Sequence, residues 1–388
     1  MPAYDWLRNY NRADWRSDLI AGAVVAVMLV PQAMAYAVLA GLPPVMGLYA
    51  STVPLLVYAL FGTSRHLAVG PVAIISIIVF ARCSLLAEPG SPEYINAVLV
   101  LGAMVGAIQL VMGLLRLGFF VNFLSHAVVS GLTSAAAVLI ALSQLKHLLG
   151  VSVGGHHSAF GMIRDILPRL GETHPATLAI GLVSLAVLLV FKKRWPHFPA
   201  AILVVVVATA MVAVFRLDEK GVGIVGSVPG GLPRFGLPAF DIETVRTLVP
   251  AALTIVLVGF VESISVAEVI AVKERYRIDP NRELGALGLA NVAASLSSGC
   301  PVTGGFSRTA VNHEAGARTG MASLVTAVLV LLTLLFLTPL FHYLPNAVLA
   351  AIVIVAVAGL VDFAAAKRLL AIKPINGLSL LVTFAATL

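Results

Sequence analysis

Two short apolar segments are each broken by a proline that follows a small residue, in a chain that is otherwise almost continuous membrane helix. The first is VGPVA at 69–73 and the second is GCPVT at 299–303. Pro71 follows the start of its hydrophobic block at Asp18 by 53 residues, and Pro301 follows Leu248 by the same 53 residues. A matched pair of interrupted segments in two halves indicates the binding site of a secondary transporter with inverted repeats.

The interruptions limit what these segments can form. Non-helical backbone survives at bilayer depth only where it is buried in protein or lines a cavity. A short helix that begins there directs its free N–H groups and positive dipole end into that cavity. We therefore predict half-helices from Pro71 to about Ala81 and from Gly305 to about Ala315, with an anion between their N-termini.

Composition places the chain in the membrane. Hydrophobic residues make up 60% and charged residues 11%, whereas soluble domains carry roughly 25% charged residues. Because a spanning helix needs about 20 apolar residues, the 388 residues accommodate about a dozen spans. The net charge is +7, and its Lys and Arg residues lie mainly in short loops, about two to one in favour of the inside when the N-terminus is cytoplasmic. This distribution predicts no nucleic-acid partner.

The sequence shows no catalytic or metal-binding pattern. It lacks the H-E-x-x-H, Walker A and G-x-S-x-G motifs, so we predict that it is not an enzyme. Cys83 and Cys300 give neither a disulfide framework nor a metal spacing, and no cofactor is expected.

The hydropathy pattern predicts an all-α polytopic membrane protein. Residues 1–17, which hold Trp6 and Trp15, favour an interfacial helix, with a disordered tail as the alternative. The region 151–172 is predicted to be an extracellular amphipathic helix, and 221–241 to link the two halves. The run at 378–388 is too short to span, which predicts a chain cut within a helix. The predicted spans are 18–40, 45–61, 95–115, 122–145, 176–191, 200–215, 248–272, 284–297, 321–341 and 346–361.

Ser307 and Arg308 open the second predicted half-helix. Arginine keeps its charge in proteins and is costly within a membrane unless it faces a cavity or a partner. We interpret the pair as attracting an anion. The alternative is a structural ion pair between Arg308 and either Glu262 or Glu314.

Three further polar residues lie within spans. Glu262 lies near mid-depth, where a carboxylate can exchange a proton and couple proton flow to anion movement. A structural hydrogen bond to a helix terminus is its alternative role. Gln32 and Tyr36 share one helix face and suit a substrate cavity, with helix–helix hydrogen bonding as the alternative. The histidines at 66, 126 and 313 are predicted to serve packing or the interface rather than a proton relay.

Several motifs resemble the sulfate permease family of anion transporters over essentially the whole chain. They are PQAMAYA at 31–37, GLPPVMGLY at 41–49, FGTSRHLAVGPVA at 61–73, VESIS at 261–265 and FSRTAVN at 306–312. The resemblance implies fourteen segments in two inverted repeats of seven. It also implies a core of about 18–116 and 244–341, which moves against a gate of about 117–220 and 342–388 in an elevator-like cycle.

The same resemblance implies residue roles. The anion is expected between the N-termini of segments 3 and 10, and Glu262 is expected to be the coupling acid. A C-terminal cytoplasmic STAS domain, usual in the family and associated with dimers, is expected to be absent here. Glu262 and Val266 stand where sodium-coupled members have Asp and Thr, which disfavours a sodium site. The implied anion-binding residues are Gln32, Tyr36, Val72, Ala73, Ser307 and Arg308.

These observations predict a proton-coupled transporter that takes up sulfate across the plasma membrane, homodimeric in a full-length form. Bicarbonate or a dicarboxylate is the alternative substrate. A passive anion exchanger or channel, or a voltage-driven motor, is the alternative mechanism. A nucleobase carrier on the same fold would be expected to offer a carboxylate where this chain offers Ser307 and Arg308.

Overall fold

The computed structural model describes residues 8, 10–119, 126–151, 159–195, 198, 200–358, 380 and 382–385. This part of the chain is mostly helical, and it holds six helical segments that are long and apolar enough to cross a membrane. The predicted all-α polytopic class is therefore confirmed. The chain divides into two compact units, one of residues 1–121 and 229–338 and one of 122–228 and 339–388. Their roles as core and gate remain a prediction.

The unit of residues 1–121 and 229–338 contains both interrupted segments. Its first stretch comprises α1 (Arg12–Leu39), α2 (Pro44–Tyr49), α3 (Val53–Phe61), β1 (Val69–Gly70), α4 (Ala73–Cys83) and α5 (Pro92–Leu114). Its second stretch comprises α10 (Ile242–Lys273), α11 (Pro280–Leu296), β2 (Thr303–Gly304), α12 (Phe306–Glu314) and α13 (Met321–Leu332), followed by a π-helical turn (Thr333–Leu337). Each stretch has a long first helix, a short strand and a half-helix in the same order.

Between residues 126 and 358, the described part of the unit of residues 122–228 and 339–388 contains four longer helices and one short one. They are α6 (His126–Leu149), α7 (Ala159–Ile166), α8 (Pro175–Arg194), α9 (Ala200–Phe215) and α14 (Asn346–Ala358). A 3₁₀ turn (Leu167–Glu172) extends α7. Within this unit α14 packs against α6 and α8, and α8 and α9 form an antiparallel hairpin.

Close packing of α5 on α11 stabilises the unit of residues 1–121 and 229–338. A Cβ on Gly106 would lie 2.7 Å from the Val292 nitrogen and 2.8 Å from the Gly288 carbonyl oxygen. A Cβ on Gly288 would lie 2.9 Å from the Gly106 oxygen. Small residues at such crossings let backbones approach closely, which is how helices associate within lipid.

Two buried carboxylates fix loops of the same unit. Asp18 accepts hydrogen bonds from the Arg318 N–H at 2.7 Å and from the Thr319 hydroxyl at 2.6 Å. Glu283 accepts from the Ser64 N–H at 2.9 Å and from the Tyr58 hydroxyl at 2.6 Å. Each carboxylate thereby joins the start of one helix to a loop that is distant in sequence.

Several predicted boundaries were wrong. The first helix begins at Arg12 rather than Asp18, because Asn11 caps it by accepting from the N–H groups of residues 13 and 14. The predicted span 45–61 matches the apolar segment Pro44–Phe61, which is long enough to cross a membrane. Its helix is interrupted between α2 and α3, because Pro54 lacks an N–H group and its ring disfavours helix in the preceding turn. The first half-helix begins at Ala73 rather than Pro71, because residues 69–72 stay extended.

Other predictions match more closely or cannot be compared. The second half-helix has Gly305 as its N-cap and Ala315 as its C-cap, as predicted within one residue. The amphipathic stretch 151–172 forms α7 and the 3₁₀ turn, with 152–158 outside the described residues. The interfacial segment 1–17 is described only at residue 8 and from 10 onward. The predicted run 378–388 is described only at 380 and 382–385.

Candidate functional site

The two interrupted segments meet. β1 and β2 pair antiparallel, with Val69 opposite Gly304 and Gly70 opposite Thr303. The pair continues beyond the strands, because the Gly305 N–H donates to the Ala68 carbonyl at 3.1 Å. These few backbone contacts bring the starts of α4 and α12 to one place, although residues 69 and 304 lie far apart in sequence.

Neither half-helix has a side-chain cap. The N-caps are Val72 for α4 and Gly305 for α12, and neither offers a side-chain acceptor to the first turn. The N-caps of five longer helices do, namely Asn11, Ser91, His174, Asp241 and Asp279. The first N–H groups of a helix need an acceptor from outside the helix. At α4 and α12 an anion can supply it.

Arg308 lies in the first turn of α12 and is 1% exposed. Its Nη1 atom donates to the Pro71 carbonyl at 2.8 Å and to Gln32 Oε1 at 3.3 Å. Its Nε and Nη2 atoms are buried without a hydrogen-bond partner. A buried guanidinium with two unused donors favours a negative ligand, since burying an uncompensated charge is costly.

Two glycines leave room for this guanidinium. A Cβ on Gly305 would lie 2.6 Å from Arg308 Nη2, and one on Gly70 would lie 3.4 Å from the same atom. The guanidinium therefore lies against the backbone of both interrupted segments. The absence of a Cβ is required at Gly305, whereas at Gly70 a Cβ would make only ordinary contact with the guanidinium.

Gln32 and Tyr36 are both buried on α1. The Gln32 Nε2 group donates to the Tyr36 hydroxyl at 3.0 Å, while Gln32 Oε1 accepts from Arg308. The structure thus joins these residues in one polar chain. Hydrogen bonding between helices, the alternative role for Gln32, occurs in the same arrangement.

Glu262 lies on α10 and is half-buried, and its Oε2 atom is buried with no hydrogen-bond partner. It is close enough to Arg308 for electrostatic attraction. Among the described residues, however, the two side chains form no ion pair, so the alternative Arg308–Glu262 bridge is absent. Both side chains keep hydrogen-bonding atoms without a partner. An anion could therefore bind to Arg308, and a proton could bind to Glu262.

The remaining implied site residues differ in exposure. Val72 and Ala73 are 5% and 4% exposed at the start of α4, and they would contribute backbone N–H groups rather than side chains. Ser307 is exposed at the second position of α12. Its hydroxyl is available at the surface of this unit.

Residues to which the sequence analysis assigned no role hold the second interruption in place. On α10, Ser263 Oγ accepts from the Gly304 N–H at 2.9 Å and is 2.6 Å from Thr303 Oγ1. Asn291 on α11 accepts from the Val302 N–H at 2.8 Å and donates to the Val302 carbonyl at 3.0 Å. Their only signal in the sequence is a polar side chain within an apolar helix.

A separate polar cluster lies at the other end of α12. The buried His66 places Nε2 2.9 Å from the Ala317 carbonyl and Nδ1 3.2 Å from the Tyr276 hydroxyl. Burial lowers the pKa of His66 to about 4. His313 lies with its ring 5.3 Å from that of His66 and bonds Glu274 at 2.7 Å, which lowers the pKa of that carboxyl. Among the described residues, no cluster of three His, Cys, Asp or Glu side chains could hold a metal ion.

Comparison with known proteins points in one direction. Residues 15–383 match the Sulfate permease family. Sulfate transporter 4.1, chloroplastic, from Arabidopsis thaliana is 42% identical over 371 residues, which cover 93% of this chain and 54% of the relative. The chain thus spans just over half the length of that relative.

Solved structures share the fold. SLC26A9 superposes with a TM-score of 0.94 at 28% identity, covering 100% of this chain and 64% of SLC26A9. The transmembrane domain of the cyanobacterium bicarbonate transporter BicA superposes with a TM-score of 0.86 at 23% identity, covering 97% of this chain and 96% of that domain. The predicted membrane fold of two inverted repeats of seven segments is confirmed.

Proposed function

Since this chain belongs to the sulfate permease family, we propose that it is a secondary transporter of a small inorganic oxyanion, sulfate first. The observation that carries the proposal is the meeting of two uncapped half-helix N-termini at Arg308, whose Nε and Nη2 atoms have no partner. No catalytic role is proposed. The sulfate transporter relatives add support for the substrate class.

In this proposal the protein replaces the hydration shell of the oxyanion. Backbone N–H groups at Ala73 and Ser307 donate to its oxygens, and the Ser307 hydroxyl adds a donor. Arg308 offers two parallel donors in a fork that matches an oxyanion. Gln32 holds the guanidinium at its other edge, and Tyr36 orients Gln32.

We assign proton coupling to Glu262. When Glu262 is ionised, its charge compensates that of Arg308 and weakens the attraction for an anion. When Glu262 is protonated, the charge on Arg308 is free to act on the oxyanion. Anion binding and protonation therefore favour one another, and by linkage each raises the affinity for the other. The direction of coupling is symport.

The remaining parts of the proposal rest on the family. They are an elevator-type cycle of a core against a gate, a homodimer in a full-length form, and a plasma-membrane location with the N-terminus in the cytoplasm. The Arabidopsis relative is a chloroplastic sulfate transporter by name. Localisation of a tagged chain in its source cell tests the plasma-membrane assignment, and an organellar location would overturn it.

Uptake of radiolabelled sulfate into proteoliposomes tests the function. The 388-residue chain is expected to accumulate sulfate with an inward proton gradient, and Arg308→Gln to abolish both uptake and binding. Glu262→Gln should remove the effect of the gradient while leaving sulfate exchange measurable. If sulfate uptake by the native chain did not depend on the proton gradient, proton coupling would be rejected. The mechanism would then be that of a passive exchanger or channel. Stronger competition by bicarbonate or a dicarboxylate than by unlabelled sulfate would reassign the substrate.

A further inference from the structure

A second feature lies on the α8–α9 hairpin, within the unit of residues 122–228 and 339–388. The two helices enclose a groove of about 360 Å³ that is lined by ten residues, of which Ser184 alone is polar. The Ser184 hydroxyl donates to the Ile180 carbonyl at 2.6 Å, so it presents no unpaired group. A groove with this lining accepts an apolar guest.

The groove owes its shape to small residues between larger ones. Ala179 and Ala208 leave space on the two helices, and Val204 and Ala208 are buried at its floor. Val183 and Val207 form walls that are 63% and 53% exposed. Exposed apolar walls on a spanning helix face lipid tails.

One end of this hairpin is strongly basic. α8 ends with Lys192, Lys193 and Arg194, and α9 begins at Ala200. Lys192 donates to the Val355 carbonyl at 3.1 Å, and Arg194 lies 5.9 Å from the centroid of the Trp195 ring. Lys193 is exposed. A basic group at the end of a spanning helix attracts anionic lipid headgroups.

Aromatic rings lie next to the basic end. The ring of Phe191 is 5.3 Å from that of Trp195 and 4.8 Å from that of Phe198. Aromatic side chains at this position are typical of the headgroup level of a bilayer. The order along the hairpin is therefore basic end, aromatic cluster, apolar groove.

Distances along α8 match one lipid leaflet. At a rise of about 1.5 Å per residue, Val187 lies roughly 10 Å from Arg194 along the helix axis, and Ala179 roughly 22 Å. One leaflet measured from its headgroup region to the bilayer midplane is about 20–22 Å thick. An acyl chain whose headgroup is at Arg194 would therefore reach the groove with its distal half.

We propose that the α8–α9 groove and the basic end of α8 form a binding site for an anionic phospholipid. The headgroup phosphate pairs with Lys193 and Arg194, the glycerol region lies at the aromatic cluster, and one acyl chain occupies the groove. The site is independent of the oxyanion site, because none of its residues belongs to the unit that contains Arg308.

Native mass spectrometry of the purified 388-residue chain tests the headgroup. The chain is delipidated and offered phosphatidylglycerol or phosphatidylcholine with identical acyl chains. We expect phosphatidylglycerol to be retained roughly tenfold more than phosphatidylcholine. The double variant Lys193→Gln and Arg194→Gln should bind the two lipids equally. Equal retention by the native chain, or an unchanged preference in the double variant, would overturn the proposal.

The groove is tested without altering charge. Ala179→Leu fills it from an exposed position, and it should lower retention of both lipids while the thermal unfolding temperature stays unchanged. Val206→Leu, on an exposed face of α9 outside the groove, is the matched control and should bind as the native chain does. Native binding by Ala179→Leu would contradict the proposal. So would disulfide cross-linking of Val183→Cys between two copies in the membrane, because a second copy would then cover the groove.

Discussion

The substitution Gly305→Ala is expected to displace the Arg308 guanidinium while keeping its charge. The new Cβ would lie 2.6 Å from Arg308 Nη2 and 2.7 Å from Cζ, whereas ordinary contact begins near 3.4 Å. The guanidinium must therefore shift by about 0.8 Å. Backbone strain contributes nothing, because Gly305 has φ −94° and ψ 125°, which alanine adopts readily.

This shift has a predictable cost. Arg308 Nη1 is 2.8 Å from the Pro71 carbonyl, and a displacement of about 0.8 Å takes it beyond hydrogen-bond range. The donors aimed at the oxyanion move by the same amount. Losing one well-aligned charge-assisted bond is worth about 1.5–3 kcal/mol. Sulfate affinity should therefore fall roughly tenfold to a hundredfold.

Isothermal titration of purified chain with sulfate measures the effect. Gly70→Ala is the matched control, because its Cβ would face the same Nη2 atom at 3.4 Å and is accommodated. We expect its sulfate Kd to stay within about threefold of native. A native Kd for Gly305→Ala with unchanged thermal unfolding would refute the reasoning, as would equal losses in the two variants.

Two further predictions concern stability. Asn291→Ala removes both hydrogen bonds to Val302 and should lower the unfolding free energy by about 2–4 kcal/mol. Denaturant titration in detergent measures this change. A decrease below about 0.5 kcal/mol would show that the two bonds contribute little to stability. His66 is more acidic when folded than when unfolded, so the unfolding free energy should fall by up to about 3 kcal/mol as the pH drops from about 6.5 to 4. His66→Gln should flatten that limb, whereas an unchanged limb would show that another group, such as the Glu274 carboxyl bonded to the neighbouring His313, causes it.

The interrupted segments could be found from sequence because proline and glycine act locally. A proline at the same distance into two hydrophobic blocks marks the same structural event twice, and Gly305 could be placed as a cap for the same reason. The start of α4 was misplaced because proline usually begins a helix. Here Pro71 instead stays extended beside the β1–β2 pair, and its carbonyl accepts from Arg308.

The supports of the site could not be found in this way. Ser263, Thr303 and Asn291 act through partners between 11 and 44 residues away, and hydropathy carries no signal for such pairs. The interruption within 45–61 was missed because hydropathy is continuous across it, although Pro54 marks the start of α3. The close approach of Gly106 to α11 depends on tertiary packing that one sequence does not reveal.

Diffraction from crystals of the 388-residue chain grown with selenate tests the central claim most directly, because the anomalous signal of selenium locates the oxyanion. The account predicts one strong peak between the N-termini of α4 and α12, with oxygens about 3 Å from Arg308 Nη2 and from first-turn N–H groups. A peak elsewhere on the chain, with those N-termini empty at saturating selenate, would contradict it.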